Sequence, residues 1–368
     1  NYQDDPPNGA AHRTSPTNIG LTLMAMMAAR DMGYHSTTSM IRKIDRIFSS
    51  IDRLDKWNGH LYNWYDTKTL QPLRPLYVST VDSGNFVGYL MTLKEGLEQY
   101  MDIPLCDGSI ARGLIDTIKL LNSDIKGRSL DYSYLRDFQE RDSLNVIEWK
   151  KALESFRKNK QALNKSSYFR KSPYDKKVDE ELDELISEIE EAMPWVSFME
   201  SMPDFFSCED IKGDLLNMFD MLNGDISLTG LSRGYRKALS LLNAMIDKVP
   251  EECSDVCRWL KELKLALIKA VLFVNRTISN TKNIIQRSNK LIANTEFRQL
   301  FDNKKQLFSI GYSAEGEQLN KSYYDLLASE SRQTSFIAIA KGDIDQKHWF
   351  RLGRSLTYFN GYRGPVYL

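Results

Sequence analysis

Along the first third of the chain, apolar residues recur every three or four positions and polar loops separate the runs, which predicts a series of helices. Pro16, Thr17 and Asn18 open a run from Ile19 to Met32 that stops at Gly33, a residue suited to the left-handed turn that closes a helix. Ser36 is placed to cap the next helix, in which Met40, Ile41, Ile44, Ile47, Phe48, Ile51 and Leu54 form one buried stripe. A loop of about two dozen residues follows, from Trp57 to Thr80, longer than most connections in compact domains and so expected to be functional. Its density of Trp and Tyr argues against disorder. A helix then starts near Asp82 and runs through Leu90, Met91, Leu93, Leu97 and Tyr100, and a further one spans Gly108 to Leu121.

The texture changes between residues 123 and 303, where charged and apolar residues alternate at helical period with few aromatic clusters. The acidic run from Asp179 to Glu191 carries Leu182, Leu185 and Ile189 at helical spacing, and its negative face reads as a solvated surface. From Asp255 to about Ile292 a long helix is expected, with Val256, Leu260, Leu263, Leu267, Val271, Val274 and Ile278 as a near-heptad seam. This stretch reads as a helical insertion or coiled-coil-like arm, packed on the rest of the domain or open to a partner. Beyond it, Lys305 to Tyr312 alternates like a short strand. Asn320 or Ser322 then caps a helix from Tyr323 to Lys341, and Asp343 to Arg354 forms another. The expected organisation is therefore three segments, 1–122, 123–303 and 304–368.

Composition narrows the function classes. Lys+Arg and Asp+Glu both number 49, so the chain lacks the basic excess by which duplex-binding proteins release counterions, and nucleic acid is not an expected partner. The longest apolar run, Leu265 to Val274, is broken by Lys269 and falls short of the roughly 20 residues that span a bilayer. Asn1 to Pro7 has neither the basic start nor the apolar run of a secretion signal. A soluble segment is expected. Of Cys106, Cys208, Cys253 and Cys257 only the last two are close, with no histidine nearby to complete a zinc set, so structural metal and a disulfide framework are not expected. Pro365 to Leu368 ends the chain on apolar residues, which reads as a cut rather than a natural terminus.

Three clusters have the residue types that sugar chemistry needs. Sugar rings lay their C–H faces on aromatic rings while their hydroxyls demand carboxylate and amide partners. In the first cluster Tyr62, Trp64 and Asp66 are followed by Asp82 and Asn85. The plainer reading buries Trp64 and Tyr65 as packing and makes Asp82 a helix N-cap. The second cluster, Ser322 to Arg332, holds Tyr323, Tyr324, Asp325 and Glu330. On one helix Tyr323 and Glu330 would share a face two turns apart, beside Leu326, Leu327, Ala328, Phe336 and Ile337. A carboxyl at such an apolar edge would hold its proton near neutral pH, as a general acid must. Alternatively Glu330 pairs with Arg332 or Arg351. In the third cluster, Lys347 to Arg354, Trp349 would stack on a sugar and Arg351 orient a hydroxyl, unless the segment is a basic surface helix. Serine-hydrolase, P-loop, dinucleotide and paired-histidine metal patterns are absent, and no cofactor is implied.

At these clusters the sequence resembles the glycoamylase-like region of cyclic β-1,2-glucan synthases. The resemblance rests on Thr14 to Gly20, on GHLYNWYDTKTLQPLRPLYVSTVDSGNFVGYL at 59–90, on LFSIGY at 307–312, on SYYDLLASESR at 322–332 and on KHWFRLGRSLT at 347–357, in that order. It brackets the chain, with only a loose match in the middle. The resemblance implies an all-α fold, an (α/α)6 toroid-type barrel with a long helical insertion, and a transglycosylase that closes linear β-1,2-glucan into rings. Related stand-alone enzymes hydrolyse such glucans. It implies glycosyltransferase and phosphorylase-like regions in the same membrane-associated bacterial polypeptide, with this segment on the cytoplasmic side. By motif position Glu330 is the general acid/base, while Tyr62, Trp64, Asp66, Asp82, Asn85, Tyr323, Tyr324 and Asp325 line the cleft. In the family a Trp-rich segment and a second catalytic glutamate follow the HWFRLGRSLT motif. Retaining transfer needs both carboxylates, so the 368-residue chain is expected to be inactive alone.

Overall fold

The computed structural model describes residues 2–3, 9–124, 129–163, 172–203, 209–250, 253–354, 356–359 and 361–365. Most of the stretch 1–7 lies outside them, as do Cys208 and the apolar residues 366–368.

The described residues are mostly helical. In chain order the helices are α1 (Pro16–Asp31), α2 (Thr37–Ile51), α3 (Thr80–Tyr100), α4 (Gly108–Asp124), α5 (Val146–Leu163) and α6 (Pro173–Ala192). They continue as α7 (Trp195–Glu200), α8 (Glu209–Gly224), α9 (Leu228–Lys248), α10 (Ser254–Asn294), α11 (Arg332–Ala340) and α12 (Lys347–Arg351). Small antiparallel sheets of two or three short strands accompany them. The architecture is therefore all-α in class. The expected helix ends hold where local chemistry dictates them. Gly33 closes α1 with φ of 82°, and Ser36 Oγ accepts the Ser39 N–H at 3.3 Å to start α2.

The chain divides into two compact units. Residues 26–43 and 97–282 form the unit that contains most of the middle helices. There α6 packs on α4 and α5, and its acidic run is solvated only in part: Asp179, Glu180, Asp183, Glu190 and Glu191 are exposed, as expected, while three glutamates turn inward. Glu181 and Glu188 are buried. Glu188 Oε1 accepts the Thr38 N–H at 2.8 Å and Glu184 Oε1 accepts the Ser36 N–H at 2.6 Å. The first N–H groups of a helix lack partners within it and carry partial positive charge, so α6 supplies carboxylates to the start of α2. Burial works against the Glu184 charge, but hydrogen bonds from His35 and Ser36 outweigh it and bring the carboxyl down to about 2. In α10 the expected seam is present: Val256, Leu260, Leu263, Leu267 and Val274 are buried. Of the described cysteines, Cys106 is buried and Cys253 and Cys257 are half-buried, none of them in a disulfide.

Residues 1–25, 44–96 and 283–368 form the other unit, which holds all three sugar-type clusters. Its core joins Val78, Val87, Phe297, Leu300, Phe301, Phe308, Ile337 and Ala338. Two three-stranded sheets flank that core. Leu307–Ser309 runs between Phe301–Asp302 and Tyr323–Tyr324, and Gly311–Ser313 runs between Gln318–Leu319 and Tyr77–Ser79. The single strand expected at 305–312 is thus two strands in two sheets.

Two further expectations need correction. No helix runs from Tyr323 to Lys341, because Tyr323 and Tyr324 pair as a strand with Ser309 and Phe308, and α11 begins only at Arg332. Tyr323 and Glu330 therefore share no helical face. Likewise α12 covers only Lys347–Arg351 of the expected 343–354, since Leu352 turns extended and Gly353 pairs with Leu326.

Candidate functional site

The strand Tyr77–Ser79 feeds directly into α3, and this junction aims the first group of side chains. Ser79 Oγ accepts the Asp82 N–H at 3.2 Å, so serine, not Asp82, caps the helix. Asp82 falls in the first turn, half-buried, with its carboxylate left for other partners. Thr17 donates to Asp82 Oδ1 at 2.6 Å, and Asn85, one turn further on, donates to Thr17 Oγ1 at 3.2 Å. With the Asn63 amide turned so that both its ends are satisfied, its nitrogen donates to Asp82 Oδ2 at 3.2 Å and its oxygen accepts the Trp64 indole N–H at 3.3 Å. Trp64 is thereby fixed to the carboxylate through one amide. The Arg13 guanidinium lies 4.8 Å from the centroid of the Trp64 ring.

Glu330 stands two residues before α11. The Tyr324 phenol donates to Glu330 Oε1 at 3.5 Å, a long contact. Burial pushes the Tyr324 phenol up to about 12, and the charge of Glu330, then Tyr77 and Asp82, add to the shift. One phenol thus lies in the field of both carboxylates. The reason is the seating of α11 on α3. Thr334 Oγ1 donates to the Thr80 carbonyl at 3.2 Å, and Gly84 leaves no room for a side chain where Thr334 approaches. Glu330 and Asp82 therefore sit at the N-terminal edges of two helices in direct contact, where partial positive charge favours carboxylates. The apolar surround expected for Glu330 is not there. The residue is exposed, Leu326 and Phe336 face solvent, and Ile337 turns into the core instead.

The remaining expected residues occupy varied places. Tyr62 is half-buried, and its backbone N–H donates to the hydroxyl of Tyr65, which is fully buried packing. Asp66 Oδ1 accepts the Lys68 and Thr69 N–H groups at 2.7 and 2.8 Å, closing a turn. Those bonds, from Thr69 and Lys68, hold its carboxyl below the usual range. Tyr323 donates to Asp302 Oδ2 at 2.9 Å, with the Lys305 ammonium 3.7 Å above its ring. As neighbours on a strand, Tyr323 and Tyr324 point to opposite faces. Asp325 is exposed, and its carbonyl accepts the Gly353 N–H at 2.6 Å.

The Leu327 N–H donates to the Gly353 carbonyl at 2.9 Å, and this short parallel bridge brings the end of α12 beside the Glu330 loop. On α12, Trp349 is half-buried and Arg351 is exposed. His348, between them and the core, is a structural anchor. Its ring nitrogens meet Ser335 Oγ at 2.8 Å and the Gln306 carbonyl at 2.9 Å, and Phe301 and Phe308 face it edge-on.

The structure thus gathers Trp64, Asp82 and Asn85 into one bonded group and sets Tyr324 and Glu330 beside it. Thr17, Asn63 and Tyr77 belong to the same neighbourhood but were not among the expected site residues. Thr17 lies 65 positions from Asp82 in sequence, so no local spacing signals the pairing. Asn63 sits inside the quoted 59–90 motif, where an amide between two aromatics was the available cue.

No family model matches the chain. Aligned over 380 residues, which takes in all of this chain, it is 28% identical to the cyclic β-(1,2)-glucan synthase NdvB of Rhizobium meliloti (strain 1021). The match covers 11% of that curated relative, so the chain spans about a ninth of its length. The protein it is similar to is of the same kind as the family that its motifs resemble.

Proposed function

We propose that this chain forms part of a glycan-active domain, an (α/α)6 toroid-type helical barrel, that cyclises linear β-1,2-glucan by transglycosylation. The observation that carries the reading is the contact of the Tyr324 phenol with Glu330 Oε1, just before a helix that is seated on the one holding Asp82 and its Asn63–Trp64 neighbours. Carboxylates beside aromatic rings are what a cleft for a neutral sugar chain requires. The whole-chain similarity to a glucan synthase supports the same substrate class.

In this reading Glu330 is the general acid/base. A glucan lying over the Trp64 edge and Tyr324 brings its glycosidic oxygen to the exposed carboxyl. The carboxyl then gives its proton to the glycosidic oxygen as that bond breaks. A second carboxylate attacks the anomeric carbon to form a glycosyl-enzyme, and Glu330 next takes the proton from the incoming glucan hydroxyl. The resemblance assigns that nucleophile to a glutamate beyond the HWFRLGRSLT motif. Asp82, Asn85, Tyr62 and Arg351 bind hydroxyls, and Trp349 adds a stacking surface. Its partners in this reading are the β-1,2-glucan chain and the glycosyltransferase and phosphorylase-like regions of the same polypeptide.

Product analysis tests this. The full-length polypeptide that carries this segment, given linear β-1,2-glucan, should yield rings without a rise in reducing ends. Accumulating reducing ends would instead make the site a β-1,2-glucan hydrolase, and neither product would leave a non-catalytic glycan-binding scaffold.

A further inference from the structure

Where α2, α6 and α10 meet, the unit made of residues 26–43 and 97–282 holds a cavity of about 270 Å³ that the Glu330 site does not use. To its lining α2 contributes Thr38 and Arg42, and α10 contributes Phe273, Arg276 and Asn280, each set at the spacing that aligns side chains on one helix face. Glu191, in the last turn of α6, completes this group. Among the described residues, Arg42, Glu191, Arg276 and Asn280 have no hydrogen-bond or ion-pair partner. Both guanidinium groups thus stand apart from the carboxylate that shares their cavity. Donors and an acceptor whose bonds go only to water are available to a ligand that offers both.

An anion does not suit this arrangement. Glu191 repels it, and the N–H groups at the start of α2, which would otherwise attract it, already bond to Glu184 and Glu188. A neutral sugar suits every member. Its hydroxyls accept from the two guanidinium groups and the Asn280 amide and donate to Glu191, while a C–H face lies on the half-buried Phe273 ring. Thr277, also in the lining, donates its hydroxyl to the Phe273 carbonyl at 2.9 Å, so its oxygen is left to accept from one more sugar hydroxyl. We infer that this cavity is a second saccharide site, outside the Glu330 group, that holds one ring of a neutral glucan chain. That the glucan is β-1,2-linked rests on the function proposed above.

Calorimetric titration of the full chain with a linear β-1,2-gluco-oligosaccharide tests it, in a Trp64→Ala background that removes the stacking surface proposed beside Glu330. Binding should persist in that background. Arg42→Met and Arg276→Met should each weaken it at least about tenfold, the loss expected of a hydrogen bond to a charged group. Both arginines are exposed, so helical circular dichroism and melting should not change. Inorganic phosphate should not compete. No binding in the Trp64→Ala background, or binding indifferent to both arginine variants, would overturn the inference. So would phosphate that displaces the oligosaccharide and binds more tightly to Glu191→Gln. Ring formation by the full-length polypeptide is read separately: rings without binding here sink this site alone, and binding here without rings sinks the cyclisation alone.

Discussion

Gly84 and Gly88 lie one turn apart on α3, and replacing each by alanine asks the same question of two different neighbours. An ideal Cβ at Gly84 would stand 1.9 Å from Thr334 Oγ1, 2.6 Å from its Cβ and 2.7 Å from its Cα. The Cα is backbone at the start of α11 and cannot rotate away. Alanine gains about 1 kcal/mol of helix propensity over glycine. Overpacking of this kind costs about 1–3 kcal/mol, and breaking the Thr334–Thr80 hydrogen bond costs about 1 kcal/mol more. Gly84→Ala should therefore destabilise by about 1–3 kcal/mol. At Gly88 the nearest atom is the Gln333 amide nitrogen at 2.3 Å, followed by Ile337 Cδ1 at 3.1 Å, both the ends of side chains. Gly88→Ala should be neutral, or stabilising by up to about 1 kcal/mol. Urea unfolding at constant m-value reads both. Adding Thr334→Ala to Gly84→Ala removes the hydroxyl but leaves the crowding against the residue's backbone and first side-chain carbon, so rescue should be partial. If Gly84→Ala proves as stable as the parent, α11 is not seated on α3 as described, and the juxtaposition of Glu330 with Asp82 goes with it.

Two buried titratable groups make opposite demands on pH. Burial lowers the His60 imidazole to about 4, with its ring held between Ser83 Oγ at 2.9 Å and the Glu296 carbonyl at 3.0 Å. The unfolded chain takes up this proton first, so stability should fall by about 3 kcal/mol as pH drops from 6.5 towards 4, and His60→Gln should flatten that window in urea titrations. Burial raises Glu181 to about 7, and its Oε2 has no partner. Its cost grows as pH rises from 4.5 through 7, so Glu181→Gln should melt higher than the parent at pH 8, by up to about 3 kcal/mol of stability, and match it near pH 4. Equal melting at pH 8 would refute the buried carboxylate.

Helices with a strong local signature were legible in the sequence. The Met40–Leu54 stripe, the Gly33 stop and the α10 seam all follow from spacing that a helix converts into one face. The failures have a common cause in long-range pairing. Tyr323 and Tyr324 have residues around them that a helix would accept, yet Phe308 and Ser309 recruit them into a sheet. Glu181 and Glu188 look like surface until the fold buries their helix, where α2 presents unpaired N–H groups to Glu188. In the site, the aromatic and acidic residues were recognisable as types, but what orients them was not. The Asp82 carboxylate is free because Ser79 takes the capping role, and it is held by Thr17 from a distant helix.

Central to the proposed mechanism is the proton that Glu330 hands to the glycosidic oxygen. The most direct measurement is ring formation by the full-length polypeptide carrying Glu330→Gln, alongside its affinity for linear β-1,2-glucan. The amide keeps the shape and cannot give up a proton, so cyclisation should fall by at least about a hundredfold, in line with loss of a general acid, while binding stays within a few-fold. Rings formed at the parental rate by that variant would contradict the claim.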